Sequence, residues 1–345
     1  MGGSAGYSQS ILKDPGTKLD ITEVGLQRPC YFLAADRKYF PYACLAARRI
    51  LDVSAPIDSF ILHVKADESD IQVARRLLGD RVALLDVTDF MERVGFRFGT
   101  YSIAAYVRLF ADLLPQFDGY GRIAYTDCDV LFNRDINDLA CQELDAPLLA
   151  AHDDYMYFRP SYRKTFRMQP GAPYFNSGVV VFDMDVVRVE GLLERTRQTA
   201  IHREMNDQNA LNVAFEGKWQ TMHPNWNLMS NGARDYRFSQ AHARHFAGGK
   251  PWGSQIGVEL EALKIWRDLA EDTPWNKPFR QRLPFERGIT KRFLRRFDAV
   301  GGLFGNDVHR RRARYDAAKM HRIYARQAEE GAMAVQFPEV LGGFG

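Results

Sequence analysis

The run Arg122-Ile-Ala-Tyr-Thr-Asp127-Cys-Asp129-Val-Leu-Phe132 ends an apolar stretch in two carboxylates separated by a single residue. Carboxylate oxygens are hard ligands. Two of them with open positions suit Mg2+ or Mn2+ better than Zn2+, and such ions share their shell with substrate phosphates. A bound cation and a charged leaving group could be handled there. Alone, an Asp-x-Asp reads more often as a solvated turn, so its weight depends on what the rest of the chain brings beside it. A strand over 123–125 with a buried backbone would fix the exit of the chain and so aim both acids.

The elements around that strand follow an alternating order. Residues 1–29 read as a polar lead-in rich in Gly and Ser, and the first convincing strand lies at 31–35. A helix over 41–51, a strand over 59–64, a helix over 70–78 and a strand over 82–86 follow. A helix over 102–114 puts Ile103, Val107, Phe110 and Leu114 on one side before Pro115 stops it. Later strands are expected at 148–151 and 177–182, with loop or short helices over 155–173 and a helix from 206 to 215. This order predicts an α/β protein with a mostly parallel mixed sheet flanked by helices.

A chain of 345 residues with 46% apolar content can bury a sizeable core. No stretch approaches the about 18 continuous apolar residues of a membrane span, and the N-terminal region lacks the apolar run of a signal peptide. A cytoplasmic protein is expected. Cys30, Cys44, Cys128 and Cys141 show no paired metal spacing and no disulfide framework, so they read as reduced thiols. The net charge of +3 hides an uneven distribution, because positions 287–326 hold twelve basic and three acidic residues.

Four blocks in one order change the standing of the Asp-x-Asp. They are Tyr31-Phe-Leu-Ala-Ala-Asp36-Arg-Lys-Tyr39, Tyr106-Val-Arg108-Leu109 before Asp127-Cys-Asp129, Tyr174-Phe-Asn176-Ser-Gly178 with Asp207-Gln208-Asn209, and His245-Phe-Ala-Gly-Gly-Lys-Pro-Trp252. As an ordered set over 30 to about 255 they resemble glycosyltransferase family 8, the group of glycogenin and the bacterial lipopolysaccharide galactosyl- and glucosyltransferases. The resemblance implies a GT-A fold over 30–255, between the tail 1–29 and a basic, mainly helical region at 256–345. It also implies a nucleotide-sugar donor, usually a UDP-sugar, bound through Mn2+ (or Mg2+) and transferred with retention to a glycan or lipid-linked glycan acceptor.

The same resemblance assigns roles to residues. Asp127, Asp129 and His245 would bind the metal. Ala35, Asp36, Tyr39, Arg108 and Cys128 would meet the nucleotide and donor, and Lys250, carried by Gly248 and Gly249, would reach the diphosphate. Asn176, Asp207 and Gln208 would hold the sugar, with Asp153 touching donor and acceptor. Elementary chemistry agrees, since a divalent Lewis acid directly stabilises a diphosphate leaving group. Gln208 carries an amide, a poor nucleophile, which favours front-face substitution over double displacement. The competing reading of Asn176, Asp207, Gln208 and Asp153 is a helix cap or a buried hydrogen-bond role. The spacing from His245 to Lys250 is one residue shorter than the common form, which bears on where Lys250 sits.

Beyond Arg287, a helical wheel places Ile289, Phe293, Leu294, Phe297 and Val300 opposite Lys291, Arg292, Arg295 and Arg296. Such a helix lies on an anionic membrane surface or packs its apolar side on the catalytic domain. The first reading makes the protein peripheral on the inner membrane face through residues 287–326. The rival function is a non-catalytic membrane- or polyanion-binding protein built on this tail. Nucleic acid is not an expected partner, because no stacking platform or helix-turn-helix signal accompanies the charge.

Overall fold

Strand β1 (Pro29–Asp36) divides its side chains between two cores, as a period of two residues requires. Tyr31, Leu33 and Ala35 join the core under helix α1 (Phe40–Val53), and Cys30, Phe32 and Ala34 join a second core on the opposite face. The computed structural model describes residues 28–95, 102–153, 156, 161–229, 238–253, 258–280 and 321–330. The lead-in 1–27 and the amphipathic segment 287–300 lie outside the described residues.

The remaining strands are β2 (Asp58–Val64), β3 (Ala83–Asp86), β4 (Arg122–Thr126), β5 (Val130–Phe132), β6 (Leu148–His152), β7 (Phe175–Asp183), β8 (Gln220–Thr221) and β9 (Ala243–His245). The main sheet has the order β3-β2-β1-β4-β7-β6-β8, and β5 pairs with β9 in a separate two-stranded ribbon. Pairs β1–β2, β1–β4, β2–β3 and β6–β8 are parallel, while β7 runs antiparallel to both β4 and β6. The sheet is thus mixed and mostly parallel, as expected. Strands covered on both faces read as nearly continuous apolar runs, which is why β1, β4 and β7 stand out in the sequence.

The reversed strand matters for function. Because β7 opposes β4, the start of β7 lies beside the end of β4, with Thr126 paired to Val179 and the Asp127 amide donating to the Gly178 carbonyl at 2.8 Å. Between Ala150 and Ala151 of β6 the register against β7 shifts, leaving residues 177–179 outside that ladder.

One expectation is corrected. Residues 102–114 do not form one helix: a short α-turn, Ile103–Tyr106, passes into a 3-10 turn, Val107–Phe110. All four residues of the second turn are buried, so the segment is not amphipathic, and the Arg108 guanidinium takes the Ala105 carbonyl that an α-helical amide would use. Further along, helix α2 (Leu260–Ala270) inserts Ala262, Leu263, Trp266 and Ala270 into the core that α1 covers. The four cysteines are free.

The helical segment 321–330 packs on the end of β6. Tyr324 stacks on His152 with ring centroids 3.7 Å apart and an interplanar angle of 4°, and His321 faces the His223 ring. Burial lowers the His152 pKa to about 3, and burial together with His223 lowers that of His321 to about 4. Both stay neutral in the folded protein, whereas the unfolded chain takes up protons below about pH 6.5. Stability is therefore complete above that pH and is lost as pH falls toward the folded pKa values. Between pH 7 and 5 each histidine should cost roughly 1–2 kcal/mol, read as a falling urea midpoint, and His321→Phe should flatten that fall.

Candidate active site

Asp127 emerges from β4 with one carboxylate oxygen already spent. Its Oδ1 accepts from Arg108 Nη2 at 2.9 Å and from the Tyr125 hydroxyl at 2.6 Å, so Oδ2 is left to the cleft, 3.8 Å from His245 Nε2. The β5–β9 ribbon supplies the partner, since its register pairs Val130 with His245 and the Phe246 amide donates to the Asp129 carbonyl. His245 Nε2 then lies 3.4 Å from Asp129 Oδ1. One ligand atom each from Asp127, Asp129 and His245 falls within 4.8 Å of the others.

Asn227, which no sequence pattern singled out, orients the imidazole. Its Nδ2 donates to Asn176 Oδ1 at 3.0 Å, so its own Oδ1 faces His245 Nδ1 at 2.8 Å. That contact puts hydrogen on Nδ1, so Nε2 is the nitrogen turned toward the two carboxylates and can offer its lone pair to a cation held between them. Three electron-pair donors aimed at one point suit a divalent cation with mixed oxygen and nitrogen ligands, and the imidazole favours Mn2+ over an ion that takes oxygen alone. Gly178 leaves room for the ring: a Cβ there would lie 2.3 Å from His245 Cε1. Only glycine fits at that distance.

Arg108 is 4% exposed and spends its donors on three segments. Besides Asp127 it reaches the Ser177 carbonyl at 2.6 Å and Asp207 Oδ2 at 3.2 Å, and its guanidinium lies over the Tyr125 ring at 3.9 Å. Expected to meet the donor, Arg108 lines the cavity and is at the same time part of a buried ion pair. Burial raises the Asp207 pKa, Arg108 opposes that rise, and Asp127 adds to it. Burial also disfavours charge on Asp129, but His245 and Lys250 hold its carboxyl well below the usual carboxylate range.

The residues assigned to the sugar form a connected cluster. Asp153 Oδ2 accepts from Asn176 Nδ2 at 3.2 Å and from Gln208 Nε2 at 3.1 Å, while Gln208 Oε1 accepts from the Ser177 amide at 3.1 Å. Asp207 and Gln208 open the helix Asp207–Ala214, whose N-cap Asn206 accepts from the Asn209 amide at 2.8 Å. The Tyr174 hydroxyl donates to Asn209 Oδ1.

A cavity of about 430 Å³ joins these groups. Ala35, Asp36, Tyr39, Arg108, Asp127, Cys128, Asp129, Asn176, Asp207, Gln208, His245 and Lys250 line it, together with Ser102, Tyr125, Ser177 and Trp252. Asp153 lies behind Asn176 and Gln208, and Gly248 is exposed outside the lining. Asp36 is more occupied than its assigned role suggests: it accepts from the Tyr39 amide at 3.0 Å and from the Ser102 hydroxyl at 2.6 Å. Trp252 stacks on Tyr42 at 3.9 Å and stands edge-on to Tyr39, which makes an aromatic wall at that end. A cavity of about 620 Å³ around Arg28, Asp58 and Arg81 lies at the opposite edge of β1 and β2 and shares no residue with the converging acids. Chemistry, not size, picks out the smaller one.

Two outcomes are expected from this geometry. Arg108→Met leaves Asp127 and Asp207 uncompensated and should lower unfolding free energy by about 3–5 kcal/mol in urea. Asn227→Leu frees the imidazole and should weaken Mn2+ binding about 10- to 100-fold by calorimetric titration without a comparable loss of stability.

The sequence profile of Glycosyl transferase family 8 matches residues 30–255. General stress protein A of Bacillus subtilis (strain 168) is 27% identical over 172 residues, 44% of this chain and 59% of that protein. Glycosyltransferase GlyB of Streptococcus pneumoniae serotype 4 is 28% identical over 167 residues, 43% of this chain and 38% of that protein. The chain thus spans less than two thirds of either relative. Among solved structures, the galactosyltransferase LgtC in complex with donor and acceptor sugar analogs aligns with a TM-score of 0.61 and 23% identity, over 75% of this chain and 99% of LgtC. The apo bifunctional glycosyltransferase WbbM aligns with a TM-score of 0.60 and 18% identity, over 75% of this chain and 52% of WbbM. The fold is the GT-A fold.

Proposed function

The chain belongs to glycosyl transferase family 8, and from that premise we propose that it transfers a hexose of galactose or glucose type from a UDP-sugar to a glycan acceptor. In this reading the acceptor is lipopolysaccharide or another surface polysaccharide, and the configuration of the sugar is retained. The observation that carries the proposal is the convergence of Asp127, Asp129 and His245, with Asn227 fixing the imidazole. Residues 30–255 form the catalytic unit, and 256–345 an extension whose basic part brings the protein to the inner membrane face. Most of that part, 281–320, lies outside the described residues, and no described helix is long and apolar enough to cross a membrane.

Bound by the two acids and the imidazole, Mn2+ or Mg2+ supplies charge neutralisation for the diphosphate leaving group. The protein side chains do the rest. Asp36, Tyr39 and Trp252 bound the end of the cavity that takes the nucleotide, with Ala35 and Cys128 beside them. Asn176, Asp207 and Gln208 face the sugar, and Asp153 holds the amides of Asn176 and Gln208 in place.

The bonds that Gln208 and Asp207 already make support front-face substitution. Gln208 has its carbonyl on the Ser177 amide and its NH2 on Asp153, and Asp207 is paired with Arg108. Gln208 is an amide, a poor nucleophile, and Asp207 is held in an ion pair, which disfavours double displacement through either. Front-face substitution, with the acceptor hydroxyl entering on the side from which the diphosphate leaves, fits that arrangement.

Mass spectrometry of the protein incubated with Mn2+ and a panel of nucleotide sugars should reveal slow hydrolysis of a UDP-hexose. Asp129→Ala should reduce that turnover to background. Unchanged turnover in the variant would remove the site from the reaction.

A further inference from the structure

Lys250 lines the cavity, but its ammonium is already engaged. Its ammonium donates to Asp129 Oδ2 and, at 3.1 Å, to the Phe246 carbonyl. The other oxygen of the same carboxylate faces His245 Nε2 at 3.4 Å. A carboxylate of the cation site is therefore already neutralised by a side chain of the same chain. Four residues separate His245 from Lys250, and the ammonium's bond to the Phe246 carbonyl returns the side chain to the residue that follows β9.

We infer that Lys250 is an internal counter-cation that competes with the divalent ion for Asp129 and is released onto the donor's diphosphate, so that ion and nucleotide bind as a pair. The inference rests on the cation site proposed above and adds to it an order of events. An ion held between Asp127, Asp129 and His245 would face a second positive charge across a single buried carboxylate, where screening is weak. Entry of the ion alone is opposed. A diphosphate reverses the balance, because it offers the ammonium an anion elsewhere and bridges to the ion.

The lysine is built to move in a way that Arg108 is not. Its side chain is 32% exposed on a flexible stem beside Gly248 and Gly249, whereas the Arg108 side chain is 4% exposed and bonded on every side. Linkage makes the coupling reciprocal: whatever factor the nucleotide adds to ion affinity, the ion adds to nucleotide affinity. Two other roles predict differently. A lysine that only contacts phosphate leaves ion binding unchanged when no nucleotide is present. A lysine that only holds the loop weakens ion binding when it is removed.

The test is a calorimetric titration of Mn2+ into the full chain without nucleotide, repeated with saturating UDP. It compares wild type, Lys250→Met, Lys250→Arg and a variant with alanine inserted between Gly249 and Lys250. Lys250→Met should bind Mn2+ alone on the order of tenfold tighter than wild type and gain less from UDP. The insertion, by lifting the lysine from Asp129, should likewise bind Mn2+ alone more tightly and gain less from UDP, and Lys250→Arg should stay near wild type. Equal or weaker binding of Mn2+ alone by Lys250→Met overturns the competition and leaves the cation site standing. Absence of Mn2+ binding in every protein, with and without UDP, overturns the cation site itself and this inference with it.

Discussion

Burying a guanidinium is costly unless its donors all find acceptors, and Arg108 meets that condition by drawing separate segments onto itself. The 3-10 turn that carries it gives up an α-helical hydrogen bond to place it there. In return the end of β4, the start of β7 and the first turn of the helix after Asn206 are tied to one planar group through Asp127, Ser177 and Asp207. Saturating Oδ1 of Asp127 is what directs Oδ2 into the cleft. The geometry of the acid that matters for an ion is thus set by a buried arginine that pairs with it.

The sheet supplies the second condition. Ligands of open α/β sheets gather at the carboxyl ends of the strands, and Asp36 and Asp127 stand at two such ends. An all-parallel sheet would bring only strand ends to that edge. Reversing β7 adds a strand start, so Asn176, Ser177 and Gly178 arrive at the same edge as Asp127. The register shift in β6 then carries Asp153 to the back of Asn176. Gly178 completes the fit, since the His245 ring lies where any Cβ would be.

Sequence patterns were most informative where burial is two-sided or where chemistry demands a residue type. The strands at 31–35, 59–64 and 123–125 lie within β1, β2 and β4, because their apolar runs reflect cover on both faces. The helix from 206 to 215 has its N-cap at Asn206 and its C-cap at Phe215. The stretch 102–114 misled because helical spacing of Ile103, Val107, Phe110 and Leu114 says nothing about a buried arginine between them. Asn227 was invisible for a different reason. Its role depends on a contact across the fold to Asn176 and His245, and an asparagine after Trp226 in a short turn carries no local signal for it. The placement of Lys250 was likewise not in the motif. Spacing along the chain gives the length of the loop, and only the β5–β9 register says which carboxylate lies beneath it.

Among the described residues two basic side chains line the cavity, and they offset part of the charge of its carboxylates. Asp36, Asp127, Asp129 and Asp207 face it against Arg108 and Lys250. If both cations were fixed, no ion or diphosphate could enter without breaking a buried pair. If both were mobile, Asp127 would lose its orientation. Arg108 has planar donors and lies buried, which suits the permanent role, whereas Lys250 is a point charge on a flexible stem at the cavity's mouth, which suits the exchangeable one. Their difference in chemistry therefore separates the charge that holds the fold from the charge that the substrate can displace.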